Sequence, residues 1–253
     1  MTSSSRVRFL GCPLDLLGHA QLRQQLIEAM AGGERVRVEG LNVAKLIDAR
    51  KDMALRRALE AAEIVHVDGY GVSLGLSWLG FPDAPRWAGI DLMQELCAEA
   101  ARTGVGIYLL GARPDIVRET ARMLQTRWPD LVIAGARDGY FDETEESAVV
   151  DAIVQSGARL LFIGISSPKK ELFLERCWAR LPVAVAMGVG GSFDVLSGRL
   201  PRAPRWMRRA GMEWLFRLLL EPRRLGWRYV RTNAVYLVLL LLELGRPGRA
   251  RRP

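Results

Sequence analysis

Short apolar runs alternate along this chain with stretches whose apolar residues recur every three to four positions. The runs at 35–39, 64–67, 107–110, 131–134, 160–163 and 183–187 have the length and composition of buried strands. Between them, 43–61, 90–102, 114–127, 143–156 and 168–180 carry helical periodicity. Three of these segments open on helix-start signals: Pro114, the Asp142/Thr144 pair, and Pro168 after Ser167. Strands alternating with helices of about ten or more residues predict an α/β fold, a Rossmann-like, largely parallel sheet with helices on both faces. Neither an internal repeat nor a low-complexity segment interrupts this pattern before residue 199.

From Arg199 the pattern changes. Pro201, Pro204, Pro222 and Pro247 punctuate a stretch without strand candidates into short helices. In the first, Arg205, Arg209, Glu213 and Arg217 share one side, with Met207, Ala210, Trp214 and Leu218 on another. In the next, Arg224, Arg228 and Arg231 share a face. The predicted organisation is an α/β body over 1–198 and a basic helical appendage over 199–253.

Charge sharpens that division. Residues 199–253 hold 14 Arg, no Lys and 3 acidic residues, a net +11, whereas the whole chain is +8 and residues 1–198 are therefore −3. An acidic body carrying a cationic, tryptophan-bearing tail points to an anion held between the two, or to an anionic surface beneath the tail. Composition narrows the classes further: 49% hydrophobic and 25% charged residues describe a folded chain with a substantial core. Cys12, Cys97 and Cys177 share no close spacing, which fits a reducing compartment. The first residues lack the apolar stretch of a signal peptide. The apolar run at 234–242 is far shorter than the ~20 residues a bilayer crossing takes, so the chain is not expected to cross a membrane, and lying on one stays open.

In open α/β sheets ligands bind beyond the carboxyl ends of the strands. The predicted strands deliver Asn42, Asp68, Gly111, Gly164 with Ser166, Ser167, Lys169 and Lys170, and finally Gly190, Gly191 and Asp194 to such positions. Each also has an ordinary reading: Asp-Gly after a strand is a common turn, and Lys169–Lys170 a common solvated helix face. The turn at 188–191 lacks the third glycine of the dinucleotide fingerprint, because Phe193 stands where it would be needed. His19 and His66 read as bystanders, and Trp78, Trp87, Trp128 and Trp178 as packing. No Asp-x-Asp pair occurs, so a carboxylate-held divalent metal on a diphosphate is not indicated, and arginines and helix N-termini are left to neutralise one. Walker A and HExxH sequences are absent. A nucleic-acid-binding protein using the Arg/Trp tail is the alternative, but an acidic body and arginines at helical spacing argue against it.

The blocks DGYGV (68–72), RWAGIDLM (86–93), DGYF (138–141), SSPKKE (166–171) and the 39 residues 187–225 resemble the WecG/TagA/CpsF glycosyltransferases in unbroken order over about 35–245. That resemblance implies an inverting, metal-independent transferase without cofactor. It would move a sugar from a UDP-sugar to a polyprenyl-diphosphate-linked saccharide in bacterial envelope or exopolysaccharide synthesis. It implies catalytic roles for Asp68 as general base and for Asn42 and Arg86. Gly111, Tyr140, Gly164, Lys170, Gly190, Gly191, Asp194, Arg217, Arg224 and Arg228 are then expected around the substrates. It also implies a peripheral location on the cytoplasmic face of the inner membrane, with an anionic membrane surface but no nucleic acid among the partners. A homo-oligomer stays open. Two positions depart from the family pattern: Gly40 stands where a threonine is usual, and Lys170 where a glutamine is usual.

Overall fold

The computed structural model describes residues 6–81 and 84–245, apart from the Arg224 side chain. Six strands form one parallel sheet: β3 (Val36–Leu41), β4 (Ile64–Val67), β5 (Ile107–Gly111), β6 (Ile133–Arg137), β7 (Leu160–Gly164) and β8 (Val185–Gly188), in the order β4-β3-β8-β7-β5-β6. Each predicted strand is present within three residues of its expected bounds. The chain winds outward from β3 to β4, then crosses to the other half of the sheet. All six carboxyl ends therefore open on one edge, with the change in winding direction between β3 and β8.

Alternation along the strands sorts the core. Val38, Leu109, Phe162 and Met187 face one side, where α1 (His19–Met30), α5 (Gly89–Thr103) and α6 (Pro114–Arg127) cover them. On the other side, α7 (Glu146–Ser156) and α8 (Lys169–Cys177) cover Leu110, Leu161 and Ile163. Beside them, α2 (Val43–Ala49), α3 (Met53–Ala61) and α4 (Tyr70–Trp78) enclose Leu41, Val65 and Val67.

Several elements go beyond the periodicity. Residues 43–61 are two helices, because the Asp52 carboxylate accepts the N–H groups of Ala54 (2.9 Å) and Leu55 (3.1 Å) and starts a new helix. Ahead of the sheet, β1 (Arg6–Phe9) and β2 (Cys12–Asp15) form an antiparallel hairpin turned by Leu10 and Gly11, both at positive φ. The buried Asp15 carboxylate takes two bonds from Arg6 and the Val65 N–H (2.7 Å), docking the hairpin on β4.

After α9 (Ser192–Leu196) come α10 (Arg205–Arg209), α11 (Glu213–Leu220) and α12 (Pro222–Leu244). The single helix expected across 205–218 is broken at Gly211, which takes φ +71 and packs against the Tyr70 ring. α12 joins the body's core. Tyr236 and Leu240 are buried with Phe9, Leu46 and Leu76, and the Tyr236 hydroxyl donates to the Gly71 carbonyl at 2.8 Å. The opposite side of α12 is bare, with Trp227, Val230, Leu237, Val238 and Leu241 all exposed. No helix among the described residues is long and apolar enough to cross a membrane.

Candidate active site

At the end of β3, Asn42 caps α2, its Oδ1 accepting the Lys45 N–H at 3.0 Å. At the end of β4, the Asp68 N–H donates to the Leu41 carbonyl at 3.1 Å, which draws the Asp68 turn against β3. Gly69 completes this approach: a Cβ there would lie 2.9 Å from Asn42 Cβ. The half-buried Asp68 carboxylate accepts the Gly89 N–H at 3.3 Å, which seats it on the first turn of the 15-residue α5, where the helix dipole favours negative charge. Arg86 forms a parallel bridge with Val67, and the Trp87 N–H donates to Val67 at 2.7 Å. Asn42, Asp68 and Arg86 thus meet at one corner of the sheet edge.

The appendage reaches this edge at two places. Glu213 of α11 lies 3.6 Å from Arg86 and 3.9 Å from Arg202, and Arg202 pairs with Asp91 of α5 at 2.6 Å. Arg217, one turn further on, donates to the Gly191 carbonyl at 3.2 Å. Gly190 takes φ +52 with open space where a Cβ would be, and Asp194 lies 3.7 Å from Arg199.

A second group of expected residues lies along the same edge. Gly111 and Gly164 are register partners on β5 and β7, and Gly111 takes φ +136. A Cβ on Gly111 would sit 2.7 Å from Gly164 Cα, and one on Gly164 2.6 Å from the Phe193 ring. Gly139 packs on Gly111 and leaves Tyr140 exposed at the rim. Strands about 4.8 Å apart place Gly111 some four spacings, roughly 19 Å, from the Asp68 turn. Between them runs a ledge floored by glycine.

Two expected residues lie away from the ledge. Arg228 pairs with Asp48 at 3.3 Å, near the far end of α2, about 9 Å along the helix from Asn42. Lys170 is buried with its ammonium between Glu39 and Glu171 (2.7 Å), while Lys45 bonds the same two carboxylates at 2.8 Å each. This closed ring of two cations and two anions ties β3, α2 and α8 together. Burial alone would raise the Glu171 carboxyl, but Lys45 and Lys170 hold it well below its ordinary range. Burial alone would likewise lower Lys45, and Glu39 and Glu171 more than reverse it. Lys170 reaches the ring only because residue 188 is glycine: a Cβ there would be 2.6 Å from Lys170 Cε. The Arg224 side chain lies outside the described residues.

Sequence reasoning missed this ring, although a glutamate inside a strand that is otherwise buried was its signal. It also passed over His66, which is 2% exposed and lies beside Asp68.

An open parallel sheet whose strand-end turns gather on one edge, closed by helices from the same chain, is the build of a Rossmann-like enzyme. Residues 7–250 match the Glycosyl transferase WecG/TagA/CpsF family. The chain belongs to that family and is a glycosyltransferase.

Proposed function

We propose that this glycosyltransferase moves a sugar from a UDP-sugar to a polyprenyl-diphosphate-linked saccharide, inverting the anomeric centre without a metal or cofactor. The observation that carries this reading is the corner where Asp68 stands between Asn42, Arg86 and the first turn of α5. Asp68 takes the proton of the acceptor hydroxyl as that oxygen forms its bond to C1 of the donor sugar. The bond from C1 to the UDP oxygen breaks, and UDP leaves with its added charge. Arg217, already on the Gly191 turn, is the described arginine best placed to meet that charge, and such preorganised donors supply on the order of 3 kcal/mol each. Asn42 and Arg86 orient sugar or acceptor hydroxyls.

The exposed Trp206, Trp214 and Trp227, with the bare side of α12, support a peripheral position on an anionic membrane, at the cytoplasmic face where the lipid-linked acceptor is used. The test is to incubate the full chain with a panel of UDP-sugars and a short polyprenyl-diphosphate saccharide in excess EDTA, reading product and anomer by NMR. Transfer with inversion supports the reading. Retention of configuration, or activity that disappears in EDTA and returns with Mg²⁺ or Mn²⁺, overturns the corresponding part.

A further inference from the structure

We propose that His66 is a positioning residue for Asp68, holding the carboxylate when neutral and withdrawing it from use when protonated. This rests on the reading of Asp68 as the base.

The geometry begins with strand alternation. Positions 64, 66 and 68 point to one side of the sheet, so the imidazole and the carboxylate share a face. Gly40 is the register partner of His66 on β3. A Cβ on Gly40 would lie 3.2 Å from His66 Nε2, 2.9 Å from Asp68 Cβ and 3.3 Å from Asp68 Cγ. Nε2 and the carboxyl carbon therefore face the same point above Gly40, no further apart than the two distances laid end to end. Gly40 and the histidine on the neighbouring strand are thus one feature. Without a side chain at 40, that point stays open between the carboxyl and the ring.

His66 has no other evident role. Both ring nitrogens are buried with no hydrogen-bond partner among the described residues, in a strand whose other side chains are apolar. A buried polar group left unpaired is costly, and such groups are rare unless something uses them. Five influences set its charge. Burial, the largest, lowers its pKa, the Asp68 carboxylate raises it, Lys45 from α2 lowers it, and the Val67 backbone and Glu39 from β3 raise it. The net position is below the ordinary 6.5, so the ring is neutral at neutral pH and has one N–H to offer the carboxylate. In acid the imidazolium pairs with Asp68 and the base is lost.

The chain has only two histidines, His19 and His66, so ring titration by NMR is assignable with a His19→Gln variant. Because the Asp68 charge raises the His66 midpoint, Asp68→Asn is expected to lower it. An unchanged midpoint, or a His66 ring that titrates in neither protein before acid unfolding, overturns the proposal. This readout is independent of turnover. If Asp68→Asn kept its kcat while the midpoint moved, the base assignment would fail and the coupling would stand; loss of kcat with a fixed midpoint gives the reverse. Kinetics add a second arm. His66→Val should lower kcat about 10- to 100-fold, the scale of one hydrogen bond that the ring N–H would give the carboxylate during turnover, with KM for the UDP-sugar unchanged. His66→Gln, which keeps an N–H but cannot titrate, should recover most of kcat and lose the histidine limb of the pH profile. A wild-type acid limb retained in His66→Gln overturns the proposal.

Discussion

Arg217 holds the carbonyl of Gly191 at 3.2 Å, so a helix from the cationic end of the chain is fastened to the turn after β8. The same guanidinium fills the space over Gly191, where a Cβ would come within 2.7 Å of it. We predict that Arg217→Ala raises KM for the UDP-sugar about 10- to 100-fold, as for the loss of a charge-assisted contact. Arg217→Lys should recover only part, since an ammonium lacks the planar fork. Steady-state kinetics of the two variants decide this, and an unaltered KM in Arg217→Ala would remove the residue from the donor site.

Asp68→Asn should lower kcat by about 10² to 10⁴, the usual span for a general base, and leave UDP affinity nearly unchanged. Single-turnover kinetics with calorimetric UDP titration separate the two quantities. A variant with near-normal kcat would exclude Asp68 as the base.

Gly40→Thr puts a side chain into the space between Asp68 and His66 and should lower activity. Its Cβ would meet Asp68 at 2.9 Å, so the carboxylate must move off the α5 N-terminus. We expect a kcat loss of about 10²-fold or more by displacement of the base, with roughly 1–3 kcal/mol of overpacking. Kinetics and thermal melting measure both, and undiminished kcat would mean that the seat of Asp68 is unimportant.

The buried ring gives a stability prediction with a defined pH window. The Glu171 carboxyl is depressed, so its contribution is present above its ordinary 4.5 and is lost as pH falls below that. Lys45 is raised, so its contribution is present below its ordinary 10.5 and is lost as pH rises beyond it. Lys170→Gln leaves one buried negative charge uncompensated and should cost about 3–5 kcal/mol at pH 7. Glu39→Gln in the same chain restores neutrality and should recover part of that loss. Urea unfolding of the single and double variants tests this coupling, and strictly additive losses would mean that the ring does not act as a unit.

The bare side of α12 gives the last prediction. Leu237→Asp and Leu241→Asp place charge on exposed positions, so melting should be almost unchanged while binding to anionic liposomes falls. Added salt should weaken the wild-type binding, since exposed charges are screened within about 8 Å at physiological ionic strength. Cosedimentation that is insensitive to both changes would remove this face from membrane contact.

Much of the fold was legible because the sheet strands are short apolar runs bounded by helices with clear start signals. The hairpin was not, because its turn is Leu10–Gly11 rather than Asn-Gly, and Leu at positive φ gives no local signal. The helix α1 carries Leu22, Leu26 and Ala29 at helical spacing, so its pattern was present and outweighed by polar neighbours. The break at Gly211 depends on Tyr70, a contact that periodicity cannot contain. At the site, the residues at strand ends could be placed because topology fixes where strand ends go. Lys170 and Arg228 could not, because a long side chain's destination is set by the carboxylates it finds, here Glu39, Glu171 and Asp48. His66 was hidden by its own burial: inside an apolar strand it looks inert until Gly40 is seen opposite.

The rings of Phe9 and Tyr236 lie 6.4 Å apart, joining the hairpin to the final helix. On a ribosome adding about 5–20 residues per second, the hairpin emerges on the order of ten seconds or more before its partner. Through that interval Phe9 can pack on Leu46, Val65 and Leu76, but the side that Tyr236 and Leu240 will cover stays open. The later-made α12 then closes over the earlier hairpin, and presents its bare side outward in the same event. A nascent chain stalled before Tyr236 would therefore leave that side of the hairpin uncovered and more open to proteolysis.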